Sequence, residues 1–114
     1  MKKFYVVGSN VSNSLSPTIF NYWFKKYKII AKYSFLECNN NNFDKKVSEI
    51  IKNKETTGLN ITIPFKKKII KHTSRLNKSA RLINAVNCVS INSKIIGINT
   101  DWEGYFNSLP KQKN

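Results

Sequence analysis

The stretch FYVVGSNVSNSLSPTIFNYWFKKYKIIAKYSFLE, from Phe4 to Glu37, decides the fold class. Phe4 to Gly8 is a short apolar run closed by glycine, which reads as a buried strand. Ser16 before Pro17 is a helix start: a hydroxyl at the N-cap, then a proline at the first helical position. Ile19, Phe20, Trp23, Phe24 and Tyr27 follow at spacings of three and four, the pattern of one apolar helix face. Ala31 to Glu37 then alternates, Tyr33 and Phe35 against Ser34 and Leu36. Strand, helix, strand in a few dozen residues is the unit from which parallel sheets are built.

The rest of the chain extends that unit. Asn39 to Asn42 is a polar break, and Phe43, Val47, Ile50 and Ile51 form an apolar face on a helix ending near Lys52. Gly58 to Ile63 reads as a third strand stopped by Pro64, with a short basic helix from about Phe65 to Lys71. Arg75 to Asn84 reads as a helix with Leu76, Ala80 and Ile83 inward. Val86 to Ile91 and Ile95 to Ile98 make a hairpin about Asn92-Ser93. A last helix should run through Trp102, Tyr105, Phe106 and Leu109. The expected fold is α/β: a three-layer α/β/α sandwich with a mostly parallel sheet.

At 114 residues the chain has the length of one domain. It carries 20 Lys plus Arg against 6 Asp plus Glu, a net charge of +14. No apolar run approaches the roughly 20 residues of a membrane-spanning helix. The apolar N-terminal stretch stops at Gly8, too soon for a secretory signal. Cys38, Cys88 and the single His72 give no zinc spacing and no disulfide framework, so no metal is expected and the chain reads as a reduced, soluble, cytoplasmic domain. The charge raises a noncatalytic alternative, a basic module binding nucleic acid or another polyanion. Only Arg75 and Arg81 are arginine, however, and base and phosphate recognition leans on arginine's fork. Lysine, asparagine and isoleucine supply 48 residues, and all three have A/T-rich codons, so composition alone accounts for much of this surface.

Ligands of open α/β sheets bind outside the carboxyl ends of the strands. Those positions collect Ser14 and Ser16 after the first strand and Asn60, Thr62 and Lys66 around the third. Asn87 stands at the start of the fourth and Asp101 just after the fifth. Hydroxyls, amides, one ammonium and one carboxylate suit a small polyhydroxylated acid. A helix N-terminus and hydroxyls can hold its carboxylate, while Lys and Asp can exchange a proton with a ring hydroxyl.

Taken in order, these segments resemble a known family. Asn13-Ser14-Leu15-Ser16-Pro17 through Asn21 is similar to the His-Ser-x-Ser-Pro-x-x-His-Asn signature of shikimate dehydrogenases. Asn60-Ile61-Thr62-Ile63-Pro64-Phe65-Lys66 resembles their Asn-Val-Thr-x-Pro-x-Lys segment. Ala85-Val86-Asn87 resembles Gly-Ala-Val-Asn-Thr, and Asn99-Thr100-Asp101 with Gly104 resembles Asn-Thr-Asp-x-x-Gly.

The resemblance is to the substrate-binding half of that enzyme, over residues 1–109, with 110–114 a tail or the start of a link to a cofactor domain. It implies reversible, NADP-dependent reduction of 3-dehydroshikimate to shikimate, in the route to chorismate and the aromatic amino acids. It implies that Ser14 and Ser16 bind the carboxylate, and that Thr62, Asn87 and Asp101 meet the ring hydroxyls. Lys66 would be the acid/base residue, partnered by Asp101. Serine at both 14 and 16 implies shikimate rather than quinate. The NADP site would lie in a Rossmann domain, normally covalently attached. Gly8, Gly58, Gly97 and Gly104 form no GxGxxG, so no cofactor site and, without that domain, no activity are expected in this chain. Asn13 and Phe20 replace the signature's histidines, Asn84 replaces a glycine, and Lys78 and Trp102 also depart from the family pattern.

Overall fold

The computed structural model describes residues 1–100; the expected helix through Trp102 and Leu109, Asp101 and the 110–114 tail lie outside them. Strands β1 (Lys2–Gly8), β2 (Ala31–Glu37) and β3 (Thr56–Ile61) alternate with helices α1 (Ser16–Lys26) and α2 (Phe43–Lys52). A 3-10 turn at Lys68–His72, the two-residue strand β4 (Arg75–Leu76) and helix α3 (Lys78–Ile83) precede the hairpin β5 (Cys88–Ile91) and β6 (Ile95–Ile98). The sheet order is β2-β1-β3-β5-β6-β4. β1 pairs in parallel with both β2 and β3, and β4 with β6, while β5 runs antiparallel to β3 and β6.

Alternation along the strands produces the three layers. Val7, Leu59, Ile61 and Val89 point to one face, where Phe43 and Val47 of α2, Phe65 and Ile69 complete a closed core. Val6 and Tyr33 point to the other face, against Phe24 of α1 and Val11 of the preceding loop. The α/β sandwich expected from the sequence is the observed one.

Four local expectations change. The helix expected from Arg75 begins only at Lys78, because Arg75 and Leu76 pair with Ile96 and Gly97 of β6. Asn77 then caps it, its Oδ1 accepting from the Ala80 N–H at 2.9 Å. The basic helix after Pro64 is only a 3-10 turn, tied by its buried Ile69 to the core. Ser16 is the first helical residue and not the cap; the Ser14 hydroxyl instead accepts from the Ser16 N–H at 3.2 Å. Finally, α1 buries none of its residues fully: Ile19, Phe20, Trp23 and Tyr27 are between 44 and 59% exposed.

Asn84 shows why one departure is tolerated. It ends α3 at φ 58°, ψ 43°, the left-handed conformation where glycine is usual and asparagine the common substitute.

Candidate active site

Three strand ends and one strand start meet at one edge of the sheet. β1 ends at Gly8, β3 at Ile61 and β6 at Ile98, and antiparallel β5 starts there at Cys88. The Thr62 N–H donates to the Val7 carbonyl at 2.9 Å, so the chain after β3 stays against the end of β1. The Ile61 N–H donates to the Asn87 carbonyl at 2.8 Å, and the Val86 N–H to the Lys66 carbonyl at 2.7 Å. These bonds draw Thr62, Lys66 and Asn87 to one place although 25 positions separate Thr62 from Asn87. Between them, the Ile63–Pro64 peptide is cis, and Phe65 is fully buried against Phe43. Lys66 therefore follows an anchored residue.

The serine loop is held from a different strand. The Glu37 carboxylate, at the end of β2, accepts from the N–H groups of Val11 at 3.0 Å and Ser12 at 3.2 Å. Val11 is buried, and its carbonyl accepts from the Ser14 N–H at 2.9 Å. The loop thus delivers Ser14 and Ser16 to the start of α1 in a fixed conformation.

Gly8 is required by this arrangement. A Cβ there would stand 2.5 Å from the Thr62 methyl and 2.7 Å from a Val11 methyl, with the Ile63 carbonyl also near. Gly8→Ala is expected to lower stability by about 1–3 kcal/mol, as overpacking does. It should displace Thr62 as well. A thermal melt checks the first effect; an unchanged melt and unmoved Thr62 amide signal would contradict this packing.

Asn87 makes a reciprocal pair with Thr100. Its Nδ2 donates to Thr100 Oγ1 at 2.8 Å, and its Oδ1 accepts from the Thr100 N–H at 3.0 Å. This brings Thr100 to the same edge. Buried Asn99 reinforces it, donating to the Ala85 carbonyl at 3.0 Å.

Other residues at this edge gain their roles only from the folded structure. Asn60, one of the strand-end polar residues collected from the sequence, accepts from the Tyr33 hydroxyl at 2.7 Å. Tyr33 is 3% exposed, and its phenol is pushed up to about 12, chiefly by burial, with the nearby Ser16 side chain opposing. Phe20 stacks on it at 4.8 Å with nearly parallel rings, which is what this departure from the signature does. Asn21 pairs with the Tyr33 backbone twice at 2.8 Å, satisfying the N–H and carbonyl of edge strand β2. Alternation placed Tyr33 only on one face of its strand; its contacts with residues 20, 21 and 60 arrive through tertiary structure. A cleft of about 420 Å³ runs along the adjoining sheet face beside α1, with mostly apolar walls. It meets the polar edge only around Tyr33, Asn60 and Cys88.

No group of His, Cys, Asp and Glu that could hold a metal ion occurs among the described residues. Nor do they offer a dinucleotide site, since Gly8, Gly58 and Gly97 all lie within strands.

Comparison with known proteins shows the family of the chain. Residues 6–89 match the family model described as the shikimate dehydrogenase substrate binding domain. A shikimate dehydrogenase (NADP(+)) of Pelagibacter ubique is 43% identical over 111 residues, covering 96% of this chain and 42% of the relative. The crystal structure of shikimate dehydrogenase from Aquifex aeolicus superimposes with TM-score 0.83 at 34% identity, covering 96% of this chain and 41% of that one. The Thermus thermophilus enzyme, solved with NADP(H) and shikimate, gives TM-score 0.81 at 26% identity, with coverages of 94% and 41%. The chain thus spans about two fifths of the length of these relatives, the part that carries their substrate-binding domain. With its strand-edge serines, threonine, lysine and asparagines in the family's order, this chain belongs to the shikimate dehydrogenase substrate-binding domain family.

Proposed function

We propose that this chain is the shikimate-binding half of an NADP-dependent shikimate dehydrogenase and carries its acid/base residue. The observation that carries the proposal is the single sheet edge to which β1, β3, β5 and β6 bring Ser14, Ser16, Thr62, Lys66 and Asn87. Oxidising a ring alcohol to a ketone requires loss of the hydroxyl proton as hydride leaves the carbon. Lys66, in its neutral amine form, takes that proton at Nζ, and in the reverse direction the resulting ammonium returns it to the oxygen on which charge develops. Asp101 orients the Lys66 ammonium and the reacting hydroxyl. Ser14 and Ser16 hold the substrate carboxylate, and Thr62 and Asn87 orient the remaining hydroxyls.

NADP, bound by a separate Rossmann domain, supplies the hydride acceptor. The described residues do not fit its pyrophosphate, since no glycine-rich turn opens a helix here. Both Cys38 and Cys88 are free thiols, which supports a reducing, cytoplasmic setting. No helix among the described residues is long and apolar enough to cross a membrane.

The experiment is an NADPH absorbance assay on two forms: the purified chain, and its fusion to the Rossmann domain of a relative. The fusion should oxidise shikimate with NADP, and the isolated chain should neither turn over shikimate nor bind NADP by calorimetry. Proximity of hydride donor and acceptor is much of the catalysis, and only the fusion provides it. Turnover by the chain alone would contradict this division of labour. A polyanion binder would instead take up oligonucleotides with an affinity falling by orders of magnitude as salt rises.

A further inference from the structure

We propose that the pocket between β4 and α3 binds a small molecule carrying a phosphate group, held by Arg75 and Arg81. Of the 20 basic residues only these two are arginine. An A/T-rich composition favours lysine wherever a surface cation suffices, so it does not account for both arginines lining one pocket. The pocket is about 390 Å³ and is walled by Ile70, Thr73, Ser74, Leu76 and the two arginines. That volume falls in the range of small-molecule sites, roughly 300–1,000 Å³. None of its lining residues belongs to the strand-edge site.

The two guanidiniums come from different elements at a fixed angle. Arg75 lies on β4, the outermost strand of the sheet, opposite Ile96 of β6. Arg81 lies on α3, which follows after the single residue Asn77. The Asn77 N–H donates to the Gly97 carbonyl at 2.9 Å, and its carbonyl accepts from the Arg81 N–H at 3.1 Å. The hydroxyls of the wall are already committed. Thr73 Oγ1 donates to the Ile70 carbonyl at 2.7 Å, while Ser74 Oγ donates to the Ile95 carbonyl and accepts from the Ile95 N–H, each at 3.0 Å. The arginines are therefore the side-chain donors that the pocket has to offer.

Neither guanidinium has an ion-pair partner among the described residues. Asp44 pairs with Lys71 and His72, Glu55 with Lys3 and the N-terminus, and Glu37 holds the serine loop. One arginine fork fills both oxygens of a carboxylate, so a pair of forks suits an anion richer in oxygens. A phosphate monoester offers three acceptor oxygens and close to two negative charges. Half-buried Ile70 and Leu76 add an apolar wall for the group that bears it.

The test is an NMR titration of the 15N-labelled chain with inorganic phosphate, phenyl phosphate and phenylacetate. With two arginines in the chain, the spectrum holds two arginine Nε–H signals, which makes the readout specific. Both should shift saturably with phosphate. Phenyl phosphate should do so at a Kd about 3- to 10-fold lower, because its ring covers the apolar wall. Phenylacetate should bind at least about 10-fold more weakly than phenyl phosphate. Arg75→Gln and Arg81→Gln should each raise the phenyl phosphate Kd about 10-fold, the ordinary value of a charge-assisted hydrogen bond. Both side chains are exposed, so these variants keep the fold. Arg75→Lys and Arg81→Lys should recover only part of the loss, since lysine keeps the charge and not the fork. Lys45→Gln, at an exposed position of α2, should leave Kd unchanged. Equal losses from Lys45→Gln and the arginine variants would reduce the binding to the net charge of the chain and overturn the site. Arginine signals that neither phosphate nor phenyl phosphate moves, or phenylacetate binding as tightly as phenyl phosphate, would overturn it too. An oligonucleotide that saturates the same two signals at concentrations where phenyl phosphate does not would assign the arginines to a nucleic-acid backbone instead.

Discussion

Lys66→Ala, in a fusion that supplies the Rossmann domain, is expected to lower kcat by about two to four powers of ten, the usual effect of a positioned general acid or base. Its effect on KM should be small by comparison. The split follows from the chemistry: proton transfer from the ring hydroxyl belongs to the transition state, whereas the carboxylate and hydroxyl contacts exist throughout. Lys66 is supported by its neighbours on both sides. Phe65 before it is buried, and its own carbonyl receives the Val86 N–H. Ser16→Ala is the contrasting variant. It should mainly raise KM, since a hydrogen bond to the substrate carboxylate is present before and during the reaction. Steady-state kinetics of the two fusions distinguish them. Losses confined to KM in both would make Lys66 a binding residue rather than the proton carrier.

Phe65→Ala is expected to cost about 3–5 kcal/mol of stability, the range for emptying a buried aromatic site. The whole folding free energy of such a domain is about 5–15 kcal/mol, so a large share disappears. Phe65 is fully buried, its ring 4.3 Å from that of Phe43, and it joins α2, the 3-10 turn and β3 in the main core. Its N–H donates to the Thr62 carbonyl at 3.1 Å and its carbonyl receives the Ile69 N–H at 3.0 Å. Its loss therefore loosens the segment bearing both Thr62 and Lys66. Urea unfolding should show a much lower midpoint with an unchanged slope, and Phe65→Leu a smaller fall. A loss below about 1 kcal/mol would mean that this segment is not anchored through the core.

Local patterning carried much of this structure because strands and helices here alternate with clear periods. β1, α1, β2 and α2 lie close to where Val6-Val7, Trp23-Phe24, Tyr33 and Val47 place them. What the pattern could not supply came from distant residues. The Arg75–Leu76 strand exists only because β6 passes beside it. Helical spacing gathers Phe20, Trp23 and Tyr27 on one face, but spacing says nothing of what covers that face, and they stay largely exposed. The candidate site was legible as a set of polar residues at strand ends. Its supports were not: Glu37 holding the serine loop, Asn21 completing β2, and Tyr33 donating to Asn60 are all contacts across 12 or more positions. Asn84 lies between these cases, since its left-handed conformation explains afterwards why asparagine serves where glycine is usual.

The central claim is that this strand edge binds shikimate. The most direct measurement is a titration of the 15N-labelled chain with shikimate, with an oligonucleotide titrated in parallel. Without the second half of the cleft, binding should be weak but saturable. Shikimate should move the amide signals of Ser14, Thr62, Asn87 and Asp101 while leaving those of α2 in place, and its effect should survive moderate salt far better than that of the oligonucleotide. If shikimate moves none of these signals while the oligonucleotide binds tightly, the chain is a polyanion-binding module and shikimate is not its ligand.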